Sequence, residues 1–149
     1  MKIDLKQISV RDLVKEYRDN HKTGVRAFGG KLDVRPPYQR DFVYQDKQRD
    51  AVIETVLLGY SLGIMYWAKR NDGGFEVLDG QQRIISLCKY VTGAFSYLTL
   101  YFDNLPDDQK EKILNYKLMA YICEGNDSEK LQWFNTINMH TENASSSDA

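Results

Sequence analysis

The chain has 149 residues, 42% of them hydrophobic, which is enough to bury one core and too little for two full domains. Its 20 Lys and Arg against 21 Asp and Glu leave a formal charge of -1, so any contact with nucleic acid or nucleotide must come from a local cluster rather than a global basic field. The charged start, Met1-Lys2-Ile3-Asp4-Leu5, lacks the apolar core of a signal peptide, and no apolar run approaches the roughly 18 residues of a membrane span, so a cytoplasmic protein with no membrane partner is expected.

Ser9-Val10-Arg11-Asp12 reads as a capping box, with Leu13, Val14 and Tyr17 turning to one face of a first helix of about ten residues. Residues 21–30, ending in Phe28-Gly29-Gly30, read as a loop or hairpin turn before a short extended stretch at 31–34. Arg35-Pro36-Pro37-Tyr38 must stay extended, because each proline fixes its own φ and biases its predecessor away from helix. Over 45–60, Val52, Ile53, Val56, Leu57 and Tyr60 recur at helical spacing. Two apolar runs, 64–68 and 75–78, flank Asn71-Asp72-Gly73-Gly74 and predict a β-hairpin.

Asp79-Gly80 ends that hairpin, and Ile84, Ile85, Leu87, Cys88 and Val91 mark a second buried helix that Thr92-Gly93 closes. Residues 97–102 suit another strand, Pro106 starts a charged helix through about Leu114, and 117–123 alternates as a strand. Asn126-Asp127-Ser128-Glu129 opens a last helix carrying Leu131, Phe134 and Ile137. Beyond Asn138 the composition turns polar, so residues 1–138 are expected to form one α+β domain, a small mixed sheet packed with helices, and 139–149 a disordered tail. Cys88 and Cys123 sit among apolar neighbours as buried free thiols would, and His21 and His140 have no companions at zinc-ligand spacing.

The segment with most chemical content is Asp79-Gly80-Gln81-Gln82-Arg83. A strand end, a glycine turn and a helix start come together there, so unsatisfied N–H groups and the positive end of the helix dipole face the turn. Arg83 can grip phosphate bidentately, and Gln81 and Gln82 add neutral donors. The alternative is that Asp79 merely caps the helix and Arg83 pairs with a nearby acid. A second cluster, Arg35-Pro36-Pro37-Tyr38-Gln39-Arg40-Asp41-Phe42-Val43-Tyr44, places arginines, a glutamine and tyrosines on a stiffened segment. It reads either as a binding segment that shares the pocket of 79–83, including a DNA-backbone site, or as a small aromatic core with solvated arginines.

Arg-x-x-Tyr-Gln-Arg-x-Phe-Val-aromatic, a helix ending in a glycine-rich turn, an apolar hairpin, Asp-Gly-Gln-Gln-Arg and a late Phe-x-x-Ile-Asn together resemble the N-terminal domain of GmrSD-type restriction endonucleases, from about Ile8 to Asn138. The resemblance implies a ParB/sulfiredoxin-like fold and a nucleotide-binding role in restriction and phage defence. It further implies that the Asp-Gly-Gln-Gln-Arg segment supports binding and hydrolysis of a nucleoside triphosphate, which in longer members controls a separate HNH nuclease. Two departures stand out: Phe134-Asn135-Thr136-Ile137-Asn138 continues into Met139-His140-Thr141-Glu142 rather than a glycine, and Tyr44 stands where relatives often carry tryptophan.

The resulting expectation is a domain that binds a nucleoside triphosphate and, with Mg²⁺, hydrolyses it. Arg83, Arg40 and Arg35 would neutralise phosphate charge, Gln81, Gln82 and Gln39 would orient oxygens or water, Tyr38 and Gly80 would complete the binding site, and Asp79 would hold Mg²⁺ or activate water. Catalysis would rest on Asp79, Gln82 and Arg83. A nuclease domain or partner chain would do any DNA cutting, since no HNH-type histidine cluster exists in the sequence. The competing readings are a non-catalytic nucleotide-gated or DNA-backbone-binding module and a purely structural domain.

Overall fold

Trp67 is fully buried, and the elements around it explain why. The computed structural model describes residues 1–20, 22–35 and 45–147, with side chains through Ile137. In chain order it contains β1 (Lys2–Ser9), α1 (Val10–Leu13), β2 (Arg18–Asn20), β3 (Gly24–Ala27), β4 (Leu32–Arg35), α2 (Asp46–Leu58), β5 (Ile64–Lys69), β6 (Phe75–Asp79) and α3 (Gln81–Val91). A 3-10 turn (Phe102–Asn104), α4 (Asp107–Leu114), β7 (Lys117–Glu124) and α5 (Asp127–Ser147) follow. The strands form one sheet in the order β1-β7-β5-β6-β4-β3-β2. It is mixed: β4 with β6 and β5 with β7 run parallel, and the other neighbours run antiparallel. The chain is therefore one small α+β domain.

Alternation along the neighbouring strands β5 and β7 sorts the sheet's faces. Leu118, Ala120 and Ile122 of β7 align with Met65 and Trp67 of β5 and are buried in the main core. Val10 and Leu13 of α1, Val52, Ile53 and Val56 of α2, and Ile84, Leu87 and Tyr90 of α3 join the same cluster. Each fully buried side chain of this size contributes about 1.5–3 kcal/mol, which makes this face the main source of stability. The opposite face carries Tyr66 and Tyr121, stacked with ring centroids 6.0 Å apart, and Trp133 of α5 meets Tyr66 edge-on at 5.5 Å. Cys88 and Cys123 are both buried and free, and burial pushes both thiols up from their ordinary range.

Several elements differ from the sequence expectation. The first helix stops after four residues, because the carbonyls of Leu13 and Lys15 accept from the N–H groups of Phe28 and Gly29 at 2.7 and 2.8 Å rather than from a further helical turn. Only half of the capping box forms: Ser9 Oγ accepts from Asp12 N at 3.1 Å, while the Asp12 carboxylate accepts from Lys15 Nζ. The chain then enters β2, and the stretch read as a loop contains β3, joined to β2 through a turn in which Asn20 Oδ1 accepts from Lys22 N and Thr23 N. Residues 97–102 make no sheet strand; Leu98 and Thr99 both adopt positive φ in a tight reversal closed by a single Tyr97–Leu100 bridge. The long β1, at the sheet edge, was not expected at all.

Candidate functional site

Gly80 is the residue that lets β6 turn into α3. Its φ is +112°, and a Cβ there would lie 2.7 Å from Cγ of the buried Met65. With no side chain in the way, the chain passes from strand to helix within one residue, and the helix opens with the 3.2 Å bond from Ile84 N to Gly80 O. The N-cap is Gly80 itself, which has no side chain to contribute, and the Asp79 carboxylate lies against Arg83 four residues on. Gln81 and Gln82 lie half-buried in the first turn of α3.

The compact junction places Asp79 and Arg83 four positions apart with Arg83 Nη2 3.4 Å from Asp79 Oδ2. The guanidinium also reaches outward from the helix. Its Nη1 donates to Leu62 O at 2.8 Å and lies 3.4 Å from Ile64 O. Arg83 thus ties the start of α3 to the turn that links α2 to β5. The arginine side chain is 18% exposed and the aspartate 34%, so the pair is partly shielded from water without being sealed off.

Tyr116, just before β7, holds the same turn from the other side. Its hydroxyl donates to Tyr60 O at 2.6 Å and accepts from Leu62 N at 3.0 Å. Burial raises the Tyr116 pKa above its ordinary value, and the Leu62 N–H opposes that shift. The turn begins where Gly59, in the left-handed region, ends α2. Tyr60, Leu62, Tyr116 and Met119 line a surface cavity of about 240 Å³ beside it. Neither Tyr116 nor the carbonyls of Leu62 and Ile64 stood out in the sequence. The one signal was the pair of glycines, Gly59 and Gly63, bracketing a tight reversal.

Of the second predicted cluster, Arg35 is placed at the end of β4, 11% exposed and 3.5 Å from Asp19 Oδ1. Tyr17 lies close by; burial, followed by the Asp19 charge, holds its phenol well above the ordinary range. Tyr38, Gln39 and Arg40 lie outside the described residues, and with them the expected pocket shared with 79–83. Among the described residues no group of three or more His, Cys, Asp or Glu converges as a metal cage would require.

Over residues 10–149 the chain matches the family described as GmrSD restriction endonuclease, N-terminal domain. The chain belongs to this family. No curated protein and no solved structure matches it. The match places this GmrSD N-terminal domain in a restriction system, and it extends through both the Asp79–Arg83 pair and the clamped turn. Among the described residues no helix is long and apolar enough to cross a membrane.

Proposed function

We propose that this GmrSD N-terminal domain binds a nucleoside triphosphate with its phosphates at the start of α3, hydrolyses it with Mg²⁺, and passes the nucleotide state to a nuclease domain or partner chain in phage defence. The observation that carries this reading is the Gly80 junction, where strand turns into helix within one residue and the Arg83 guanidinium stands beside the positive end of the helix dipole, an arrangement that suits an anion. A guanidinium has five N–H donors, and the three acceptors around Arg83 leave donors for a phosphate oxygen. Gln81 and Gln82 would orient phosphate oxygens or the attacking water, and Arg35, Tyr38, Gln39 and Arg40 would close the site from the preceding segment. The kinship to ParB/sulfiredoxin-like domains belongs to the same proposal.

The residues fit Mg²⁺ in one specific sense. This ion keeps several waters and usually takes one or two carboxylates plus substrate phosphates, so Asp79 alone suffices for a metal that arrives on the nucleotide. Bound there, Mg²⁺ would supply charge neutralisation between the phosphates. Asp79 would hold it or accept a proton from water as that water attacks the γ-phosphorus; the bond to the β–γ bridging oxygen breaks, releasing phosphate and the nucleoside diphosphate. Positioning and electrostatics would carry most of the rate.

A second reading, a nucleotide-gated or DNA-backbone-binding module without turnover, is favoured by one observation. Arg83 already links Asp79 to the 62–64 backbone, as a residue that transmits occupancy would. Calorimetric titration with the four common nucleoside triphosphates plus Mg²⁺, followed by phosphate release, separates the readings. Binding with release supports hydrolysis, binding without release supports the gated module, and a lack of binding overturns both nucleotide readings and leaves the DNA-backbone-binding module.

A further inference from the structure

The surface that says most beyond the nucleotide site is the edge strand β1. It spans eight residues, ends the seven-stranded sheet and pairs on one side with β7, from Lys2↔Glu124 to Ser9↔Lys117. Among the described residues no strand pairs with its other side. Residues 2–7 are all exposed, on both faces, although the β7 residues opposite include the buried Ala120, Ile122 and Cys123. Ile3 and Leu5 are 43% and 47% exposed on a strand whose outer row of N–H and C=O groups pairs with no described strand. A long edge with exposed aliphatics is a template for another strand.

Lysines on an edge ordinarily keep other chains away. Here Asp4 lies between Lys2 and Lys6 on one face, with Ile3, Leu5 and Gln7 on the other. This alternation selects a self-complementary register. Two copies of β1 related by a two-fold axis normal to the sheet can pair only residues of like parity. Centring the axis on Asp4 would set Asp4 against Asp4 and Lys2 against Lys6, which repels. Centring it on Leu5 sets Asp4 against Lys6 twice, Leu5 against Leu5, and Ile3 against Gln7, which attracts on one face and buries aliphatic surface on the other. Centring it on Ile3 also pairs Lys2 with Asp4 but shortens the ladder. We infer that this chain forms a homodimer by antiparallel β1–β1 pairing about Leu5, joining the two sheets into one. The partner is a second copy because the strand's charge pattern is complementary to itself, and the contact is isologous, so it closes at two copies.

The inference does not depend on the nucleotide reading, and its test uses no nucleotide. Sedimentation equilibrium of the chain should show a monomer–dimer equilibrium in the micromolar range. Asp4→Lys and Lys6→Asp alone each turn two attractive pairs into repulsive ones and should weaken the dimer about tenfold or more, while the Asp4→Lys/Lys6→Asp double variant restores it. Circular dichroism melts of all variants check that the fold is kept, and these exposed positions leave the core untouched. A wild-type chain that stays monomeric at 100-fold higher concentration, or a dimer that neither single variant weakens, or a double variant that fails to recover, would overturn the inference.

Discussion

Arg83 Nη1 sits 2.8 Å from the carbonyl oxygen of Leu62, 21 positions earlier in the chain, while Nη2 of the same guanidinium sits 3.4 Å from Asp79. One side chain therefore joins the helix start, the strand end and the turn between α2 and β5. A phosphate arriving at Gly80 would compete for or reinforce these bonds, and the turn would register the difference.

Replacing Arg83 by Ala should lower both nucleotide affinity and stability. Each effect is about 1.5–3 kcal/mol, the range for hydrogen bonds to a charged group, because the turn carbonyls lose their donor together with the phosphate. Arg83→Lys keeps the charge but not the planar fork, so it should recover part of the affinity and little of the stability. Urea denaturation beside calorimetric titration reads the two separately. A variant with wild-type stability would show that the bridge to Leu62 contributes nothing.

Tyr116→Phe removes the donor to Tyr60 O and the acceptor for Leu62 N, at a cost of about 1–2 kcal/mol. The sign of its pH effect follows from its raised pKa. The protonated hydroxyl is favoured in the folded state, so its contribution is fully present below the unfolded value of about 10 and is lost as pH rises through the higher folded value. Stability of the wild type should fall more steeply above about pH 10 than that of Tyr116→Phe. Equal slopes in denaturant titrations between pH 9 and about 11 would count against the clamp.

Gly80→Ala should cost more than Gly93→Ala. Both glycines have positive φ, +112° and +86°, but a Cβ at Gly93 meets nothing within 4 Å whereas one at Gly80 meets Met65. Strain alone is about 1–3 kcal/mol, and the displaced Met65 adds to it only at Gly80. Equal losses of melting temperature would remove the steric argument for the tight junction.

Local signals made α2, α3 and the β5–β6 hairpin legible: their apolar residues keep one period, and Asp72-Gly73-Gly74 supplies the reversal. The strand–glycine–helix placement of Asp79, Gly80 and Arg83 was legible for the same reason. β1 was not, because its alternation, Ile3 and Leu5, breaks when Ile8 rather than Gln7 turns to the core. The short α1 was hidden because its end is set by Phe28 and Gly29, far along the chain. The bonds of Arg83 and Tyr116 to the 60–64 backbone were hidden too, since acceptors on main-chain carbonyls leave no trace in residue type.

The chain by itself should not cut duplex DNA, modified or unmodified, with Mg²⁺ or Mn²⁺ and nucleotide present. A nuclease of the HNH kind needs a held histidine and neighbouring metal ligands, and the only histidines are His21 and His140. Plasmid nicking by the purified chain, abolished by Asp79→Ala, would show that the 79–83 junction is a nuclease centre rather than a nucleotide site.

The most direct test of the proposed nucleotide site is an amide ¹⁵N–¹H correlation titration of the chain with a non-hydrolysable nucleoside triphosphate and Mg²⁺. The account predicts saturable shifts centred on the amides of Gly80, Gln81, Gln82 and Arg83, with secondary shifts at Leu62 and Gly63 transmitted through the Arg83 bridge, and the loss of both sets in Arg83→Ala. Saturable shifts confined to another part of the sheet, or none at millimolar nucleotide, would contradict it.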